Sequence, residues 1–120
     1  MQYMLLIYTP ETAQASMEPS AAGRAMTAEY LAFTANIRKA GNFVAGDALQ
    51  ASHTATTVRV REGVPVTTDG PFAETKEQLG GYYLIEARNL DEAITIAAQV
   101  PGAKHGAIEV RPVMVFAPPA

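Results

Sequence analysis

The stretch Gln2–Tyr8, QYMLLIY, is a short apolar run that Thr9-Pro10 brings to an end, which is the pattern of a β-strand. Successive side chains of a strand point to opposite faces of its sheet. Both alternating sets are apolar in this stretch, so the strand is predicted to need cover on both faces: Tyr3, Leu5 and Ile7 on one, and Met4, Leu6 and Tyr8 on the other.

The rest of the chain builds a β-α-β, hairpin, β-α-β order around this strand. Apolar residues recur at helical spacing from Met26 to Ile37, which predicts a helix over 21–40. Two split β-α-β halves around an antiparallel sheet predict a single α+β domain over residues 1–120. The expected fold is a ferredoxin-like sandwich, with two helices on one sheet face and an additional hairpin. The other predicted elements are strands at 43–49, 82–87 and 107–116, a hairpin at 56–68 and a helix at 89–99.

Two helices can cover only one face of this sheet, and the opposite face also carries apolar side chains. The simplest cover is the same face of an identical chain, so a homodimer formed through the sheet faces is predicted. The alternative is that the segments 10–20 and 50–56 fold over that face.

The composition restricts the class of protein. The 120 residues contain no cysteine, which excludes disulfides, thiolate metal sites and cysteine nucleophiles. The formal net charge of −3 gives no electrostatic reason to bind nucleic acid or an anionic membrane. No segment approaches the roughly 20 apolar residues of a membrane span, and residues 1–8 lack the basic leader of a signal peptide, so a cytoplasmic protein is predicted.

The run 66–82, VTTDGPFAETKEQLGGY, connects the hairpin to the strand that begins at Tyr82. Its Asp69-Gly70-Pro71 is typical of a stiff turn, and Phe72 is predicted to anchor the loop against apolar surface. The glycine pair 80–81 indicates a bulge or a close backbone approach.

This run resembles the signature of the DGPF group of the YCII-related family, and the resemblance extends to segments 3–8, 54–59, 90–93 and 108–112. It implies a ferredoxin-like fold that forms a dimeric α/β barrel. It implies little about activity, and since some members accompany extracytoplasmic-function (ECF) sigma factors, a functional link to such a factor is one expectation. Relatives outside the DGPF group carry a histidine on the first helix that works with an aspartate. The predicted helix 21–40 contains no histidine, so that dyad is not carried over.

Two carboxylates are candidates for acid–base chemistry. Asp69 lies at the end of the hairpin and Asp47 follows Gly46 at the end of a strand, where loops on a rigid scaffold often place functional groups. The alternative for each is a turn residue that bonds its own backbone. A general base would have to be partly buried beside a pocket.

Five other side chains are candidates for ligand contact. Arg59 and Lys76 could hold a small acidic ligand, although exposed ion pairs are the alternative for both. Tyr30 lies on the apolar stripe of the first helix, where a core role is the alternative. Phe72 lies in the turn, and Tyr82 or its neighbour should line the space beside the sheet.

No metal site and no cofactor are predicted, because His53 and His105 have no second ligand at a metal spacing and are expected to be solvated loop residues. Two functions stay open. The chain is a dimeric module that binds a small ligand or a regulatory protein, or it is a cofactor-independent enzyme with an aspartate acid/base in a pocket at the helix–sheet or dimer seam. The enzyme requires Asp47 or Asp69 to line an enclosed pocket, within hydrogen-bond reach of a second polar group.

Overall fold

The computed structural model describes residues 1–11, 21–73 and 75–117. Within these residues, six strands and two α-helices follow one another in the order β, α, β, β, β, β, α, β, with two short 3₁₀ helices at Ser52–Thr54 and Pro101–Lys104. The elements are β1 (Gln2–Pro10), α1 (Ala21–Lys39), β2 (Phe43–Ala48), β3 (Thr56–Arg61), β4 (Val64–Asp69), β5 (Glu77–Glu86), α2 (Leu90–Ala97) and β6 (Ala107–Pro112).

Four of the strands form one antiparallel sheet in the order β2-β5-β1-β6. Both helices lie on one face of this sheet, because the core cluster joins residues of α1 and α2 to one alternating set of strand residues. The predicted α+β fold is therefore confirmed. Within the described residues, no helix is long and apolar enough to cross a membrane.

The core lies between the helices and the sheet. Along β1 the residues alternate between buried and half-exposed, and Leu5, Ile85 and Val100 are the largest fully buried side chains. The strand residues that point away from the helices form what we call the outer face. It consists of half-exposed apolar residues bordered by charged ones: Met4, Leu6, Tyr82, Leu84, Glu86, Glu109 and Arg111.

Strands β3 and β4 form a separate two-stranded sheet, residues 56–69, which we call the arm. Its two strands meet at Glu62 and Gly63, whose φ values of 51° and 75° belong to the two-residue turn that suits a twisted hairpin. The radius of gyration is 16.4 Å, whereas a compact chain of this length has roughly 13.6 Å. Every residue of β4 and four of the six residues of β3 are exposed, so the arm projects from the body, the rest of the described chain.

Two strands of the body differ in length from the prediction. β5 begins at Glu77 rather than at Tyr82, because β1 continues to Pro10 and offers a pairing partner that far. Its register shifts opposite Ile7 and Tyr8, which leaves Gly80 as the bulge residue that the glycine pair indicated. β6 ends at Pro112 rather than at 116, since β1 begins at Gln2 and residues 114–117 lie past its end.

Candidate functional site

A cavity of about 820 Å³ lies at the β2 edge of the sheet. Its walls come from the end of β1, from β2, from residues 80–83 in the middle of β5, from one side of α1 and from the loop 49–54. A volume of this size can hold a small organic molecule. The lining includes residues from both faces of the sheet, so the cavity reaches around β2 from the helix side to the outer face.

Glycines keep this edge of the sheet open. A Cβ atom on Gly46 would lie 2.7 Å from the ring of Tyr83, and one on Gly81 would lie 2.9 Å from the carbonyl oxygen of Asp47. The bulge at Gly80 frees its carbonyl, which accepts a hydrogen bond of 2.8 Å from the amide of Leu49. The loop that follows β2 is thereby tied to β5, and the backbone forms part of the cavity wall.

Two tyrosines line the helix side of the cavity. The Tyr30 hydroxyl accepts a hydrogen bond of 3.1 Å from the amide of Gly102. The Thr34 hydroxyl donates to the carbonyl of Tyr30 at 2.8 Å, so the Tyr83 hydroxyl, 2.7 Å from it, is the donor of that pair. Burial raises the pKa of Tyr30 and of Tyr83 above the ordinary value, although the amide of Gly102, which donates to the Tyr30 oxygen, acts in the opposite direction on Tyr30.

The proton of the Tyr30 hydroxyl has no acceptor among residues 1–11, 21–73 and 75–117. The oxygen already accepts from Gly102, so the hydroxyl proton is free to form a second hydrogen bond. Tyr30 lies in the cavity lining, as the ligand-contact hypothesis requires. It therefore presents a phenolic hydroxyl group to the cavity.

On the outer-face side, Asp47 and Tyr82 form a pair in the cavity lining, where Asp47 is exposed and does not have the partial burial expected of a general base. The Tyr82 hydroxyl donates to the Oδ2 atom of Asp47 at 2.8 Å. This hydrogen bond, together with the negative charge of the carboxylate and partial desolvation, raises the pKa of Tyr82. The phenol therefore stays protonated at neutral pH, and the second carboxylate oxygen keeps its lone pairs for another donor.

Both histidines of the chain line the same cavity, although they are exposed, as predicted. His53 belongs to the 3₁₀ helix Ser52–Thr54, and His105 follows the 3₁₀ helix that ends at Lys104. Sequence reasoning missed their common location because two distant loops carry them and no spacing relates them. In the described part of the chain, no three His, Asp or Glu residues come together as metal ligands.

Two further lining residues were not singled out from the sequence. The guanidinium carbon of Arg38 lies 4.2 Å from the centroid of the Phe43 ring, a cation–π contact that holds this cation at the cavity wall. The Oε1 atom of Glu11 accepts a hydrogen bond of 3.1 Å from the amide of Ser52. Glu11 thus fixes the loop that carries His53.

The remaining sequence candidates do not line the cavity. Asp69 is exposed at the base of the arm, Lys76 is exposed before β5, and Arg59 lies on the arm. Gly70 has a φ of 99°, as expected of the predicted turn. Phe72 does not anchor the loop, because 80% of its surface is exposed and its contact is the Arg59 guanidinium, 5.5 Å from the ring centroid. That prediction is wrong for this chain, because most of the ring surface is left exposed.

Comparisons with known proteins bear on the family and on the fold. A family model, the YCII-related domain, matches residues 1–117. An uncharacterised protein of Rhizobium meliloti (strain 1021) is 35% identical over 120 residues, which is 98% of this chain and 96% of that protein. The structure of 5-chloro-2-hydroxyhydroquinone dehydrochlorinase (TftG) from Burkholderia phenoliruptrix AC1100, in complex with 2,5-dihydroxybenzoquinone, has a TM-score of 0.54 over 95% of this chain and 94% of that chain. Its identity of 16% makes this a likeness of fold alone.

Proposed function

The chain belongs to the YCII-related family, and from that membership and the cavity we propose that it binds a small molecule at the β2 edge of its sheet. One observation carries the proposal. The Asp47 carboxylate, the Tyr30 phenol and the two histidines line the same cavity of about 820 Å³, together with other aromatic side chains. Sites for small ligands have this combination of an apolar wall and a few placed polar groups.

The lining favours a planar ring that carries hydroxyl or acidic oxygen substituents. Tyr83 and Phe43 offer aromatic surface for a ring, and Asp47 can accept a proton from a hydroxyl group. Arg38 can donate to an anionic oxygen, which fits the small acidic ligand expected from the sequence. The 2,5-dihydroxybenzoquinone bound by TftG belongs to this chemical class and is the first probe that we would use.

A second candidate function, a cofactor-independent enzyme, is favoured by the pair of Asp47 and Tyr82. With Oδ2 held by the phenol at 2.8 Å, the remaining oxygen of Asp47 can take a proton from a bound substrate. In an elimination such as the dehydrochlorination named for TftG, the base takes the proton and the chloride leaves to solvent. Such a reaction needs a positioned carboxylate and a protonated donor, and Asp47 and Tyr82 can supply both.

The test compares the two aspartates that the sequence could not separate. Titration calorimetry with 2,5-dihydroxybenzoquinone should show affinity reduced at least about tenfold in Asp47→Asn, since a hydrogen bond to a charged group is lost. Asp69→Asn is the matched control and should bind within about twofold of the unaltered chain, because Asp69 lies outside the cavity lining. Equal losses in both variants, or none, would remove Asp47 from the site.

A chloride-release assay with a chlorinated hydroxyhydroquinone separates binding from catalysis. An enzyme should release chloride in the unaltered chain and Asp69→Asn, and lose most of that rate in Asp47→Asn. If the probe binds but neither the unaltered chain nor either variant releases chloride, this elimination is excluded and the chain is a small-ligand-binding module.

We also propose that the chain forms a homodimer through the outer face. The support is the half-exposed apolar set on that face, which neither helix covers, with Leu6 near its centre. Leu6→Lys should give monomer in sedimentation experiments, and an unchanged dimer would contradict this interface. The cytoplasmic location and the link to an ECF sigma factor stay predictions from the sequence and the resemblance.

A further inference from the structure

The arm exposes apolar side chains on both of its faces. Val58, Val60, Val64 and Val66 keep 59%, 61%, 59% and 46% of their surface exposed. A two-stranded ribbon on its own is marginally stable in water, and clustered exposed apolar residues mark interaction surfaces. The arm therefore needs cover that the described residues of its own chain do not provide.

The arm is nevertheless built as a fixed unit. Its six residue pairs run without a register shift from Thr56 and Asp69 to the turn. At its base the amide of Gly70 donates to the carbonyl of Ala55 at 2.7 Å, and the Thr57 hydroxyl donates to the carbonyl of Gly70 at 2.8 Å. A preorganised element loses little conformational entropy when it binds, which suits it to docking.

One face of the arm has the composition of an interface. The pairing register places Arg59 opposite Val66 and Arg61 opposite Val64, so these four side chains share what we call the Val66 face. The Arg59 guanidinium lies beside Phe72, which is 80% exposed. Arginine and aromatic residues are enriched where protein surfaces meet. The opposite face, with Val58 and Val60, lacks this pair.

A second uncovered apolar segment follows β6. In the segment 113–117, Met114, Val115 and Phe116 have 73%, 89% and 80% of their surface exposed. Its first residue, Val113, donates from its amide to the carbonyl of Gln2 at 2.9 Å, so the segment starts from a fixed point on the edge of the sheet. We call residues 113–117 the tail.

The sheet register places the arm and the tail at diagonally opposite corners. The arm follows β2, an edge strand, at the end of the sheet where Pro10 pairs with Glu77. The tail leaves β6, the other edge strand, at the end where Tyr3 pairs with Pro112. Within one chain the two segments are therefore too far apart to cover each other.

A two-fold axis brings these corners together. In one possible dimer, the two outer faces pack with their strands near right angles. If the two-fold axis runs along the diagonal that joins the two remaining corners of the sheet, the arm of each copy lies beside the tail of the other. The outer face of four strands projects roughly 400 Å², whereas a standard interface buries about 800 Å² per partner. Each arm adds roughly 200 Å² per face, which brings the surface to roughly 600 Å² per partner, the lower end of the range for stable interfaces.

We propose that the Val66 face of each arm packs against the tail of a second copy of this chain. The proposal rests on the homodimer proposed above and adds to it the contact that covers both exposed segments. The pocket residues take no part in this contact, so its failure is separable from a failure of ligand binding.

Sedimentation equilibrium tests the contact with a matched pair of arm variants. Val64→Asp/Val66→Asp should raise the dimer dissociation constant by at least about tenfold, because two charges enter an apolar contact. Val58→Asp/Val60→Asp places the same charge change on the opposite face and should raise it less than about threefold. Equal effects of the two variants, no effect of either, or a monomeric unaltered chain would overturn the proposal.

A double-mutant cycle then tests the partner segment. A chain shortened after Pro112 should raise the dissociation constant at least about tenfold. Combining this truncation with Val64→Asp/Val66→Asp should raise it little further, because both changes remove the same contact. Fully multiplicative effects would mean that the arm and the tail touch different surfaces, which would overturn their pairing. Affinity for 2,5-dihydroxybenzoquinone, measured on the same variants, reports on the pocket independently.

Discussion

In the four-stranded sheet Leu5 and Ile85 are fully buried, whereas in the arm Val58 and Val60 keep 59% and 61% of their surface exposed. Both sheets are antiparallel, and both are rich in the residue types that favour strands. The difference lies in what packs on them. The four-stranded sheet has helices on one face, and the arm has no layer of the described chain on either.

This difference separates the two forces that stabilise a strand pair. Backbone hydrogen bonds and turn geometry define the arm, and they contribute little net free energy in water. Burial of apolar surface stabilises the body, at about 25 cal/mol for each Å² removed from water. The arm should therefore depend on a partner for its stability, while the body folds by its own packing.

The largest expected effect comes from making one substitution in each region. Val100→Ala, at a side chain that is 1% exposed, should lower the free energy of unfolding by about 2 kcal/mol, because two buried methyl groups leave a cavity. Val60→Ala, at a side chain that is 61% exposed, should change it by less than about 0.5 kcal/mol. Urea unfolding at a protein concentration where the chain is monomeric measures both.

Equal losses for Val100→Ala and Val60→Ala would break the comparison, because the arm would then be packed within its own chain. Repeating the measurement at a protein concentration where the chain is a dimer extends the comparison. A loss at Val60 that appears only in the dimer would place a partner on that face of the arm and would count against the choice of the Val66 face.

The sequence was sufficient to predict the body because its signals lie within single segments. The apolar run Gln2–Tyr8 and the helical stripe from Met26 to Ile37 each follow from which side chains must be buried. The helix predicted at 89–99 is capped by Asn89, whose side chain accepts from the amide of Glu92 at 2.9 Å. The arm was also predicted as a hairpin, but local signals do not say what lies on its faces.

The candidate site could be predicted only in part. Asp47 and Asp69 both stand beside a glycine at a strand end, so the sequence could not tell which one faces a cavity. Strand order decides it, because β2 pairs with β5 at the open edge while β4 pairs only with β3. His53, His105 and Arg38 were missed for a similar reason, since a cavity is assembled from segments that are distant in sequence.

A smaller effect is expected from the buried hydroxyl groups on the helix side of the cavity. Tyr83→Phe removes the hydrogen bond to Thr34 and should lower the free energy of unfolding by about 1 kcal/mol at neutral pH. The arm contains no tyrosine, so this contribution belongs to the body alone. Urea unfolding of the variant measures it, and an unchanged midpoint would mean that the hydroxyl is solvated in the folded chain.

The pH dependence of stability follows from the same group. The folded pKa of Tyr83 is raised above the ordinary tyrosine value of 10.0, chiefly by burial, as is that of Tyr30. The folded chain therefore binds more protons than the unfolded chain above pH 10, and stability should fall as pH rises through the folded pKa values. The double variant Tyr30→Phe/Tyr83→Phe should show a shallower decline above pH 10.0, the ordinary tyrosine pKa, and an identical decline would assign the loss to other groups.

The smallest expected effect is a change in the pKa of Tyr82, with almost no change in the free energy of unfolding. The Asp47 carboxylate raises the pKa of Tyr82 by accepting its hydrogen bond and by its charge. Asp47→Asn removes the charge, so the pKa of Tyr82 should fall toward the ordinary tyrosine value, while the unfolding midpoint stays nearly unchanged because the pair is exposed. A titration followed by NMR of ring-labelled tyrosine measures the shift, with Asp69→Asn as the control on the arm. A lower pKa of Tyr82 in Asp47→Asn and an unchanged pKa in Asp69→Asn would show that Tyr82 donates its hydrogen bond to Asp47 in solution. Equal titration curves would mean that the pair does not form in solution and that Asp47 acts without Tyr82.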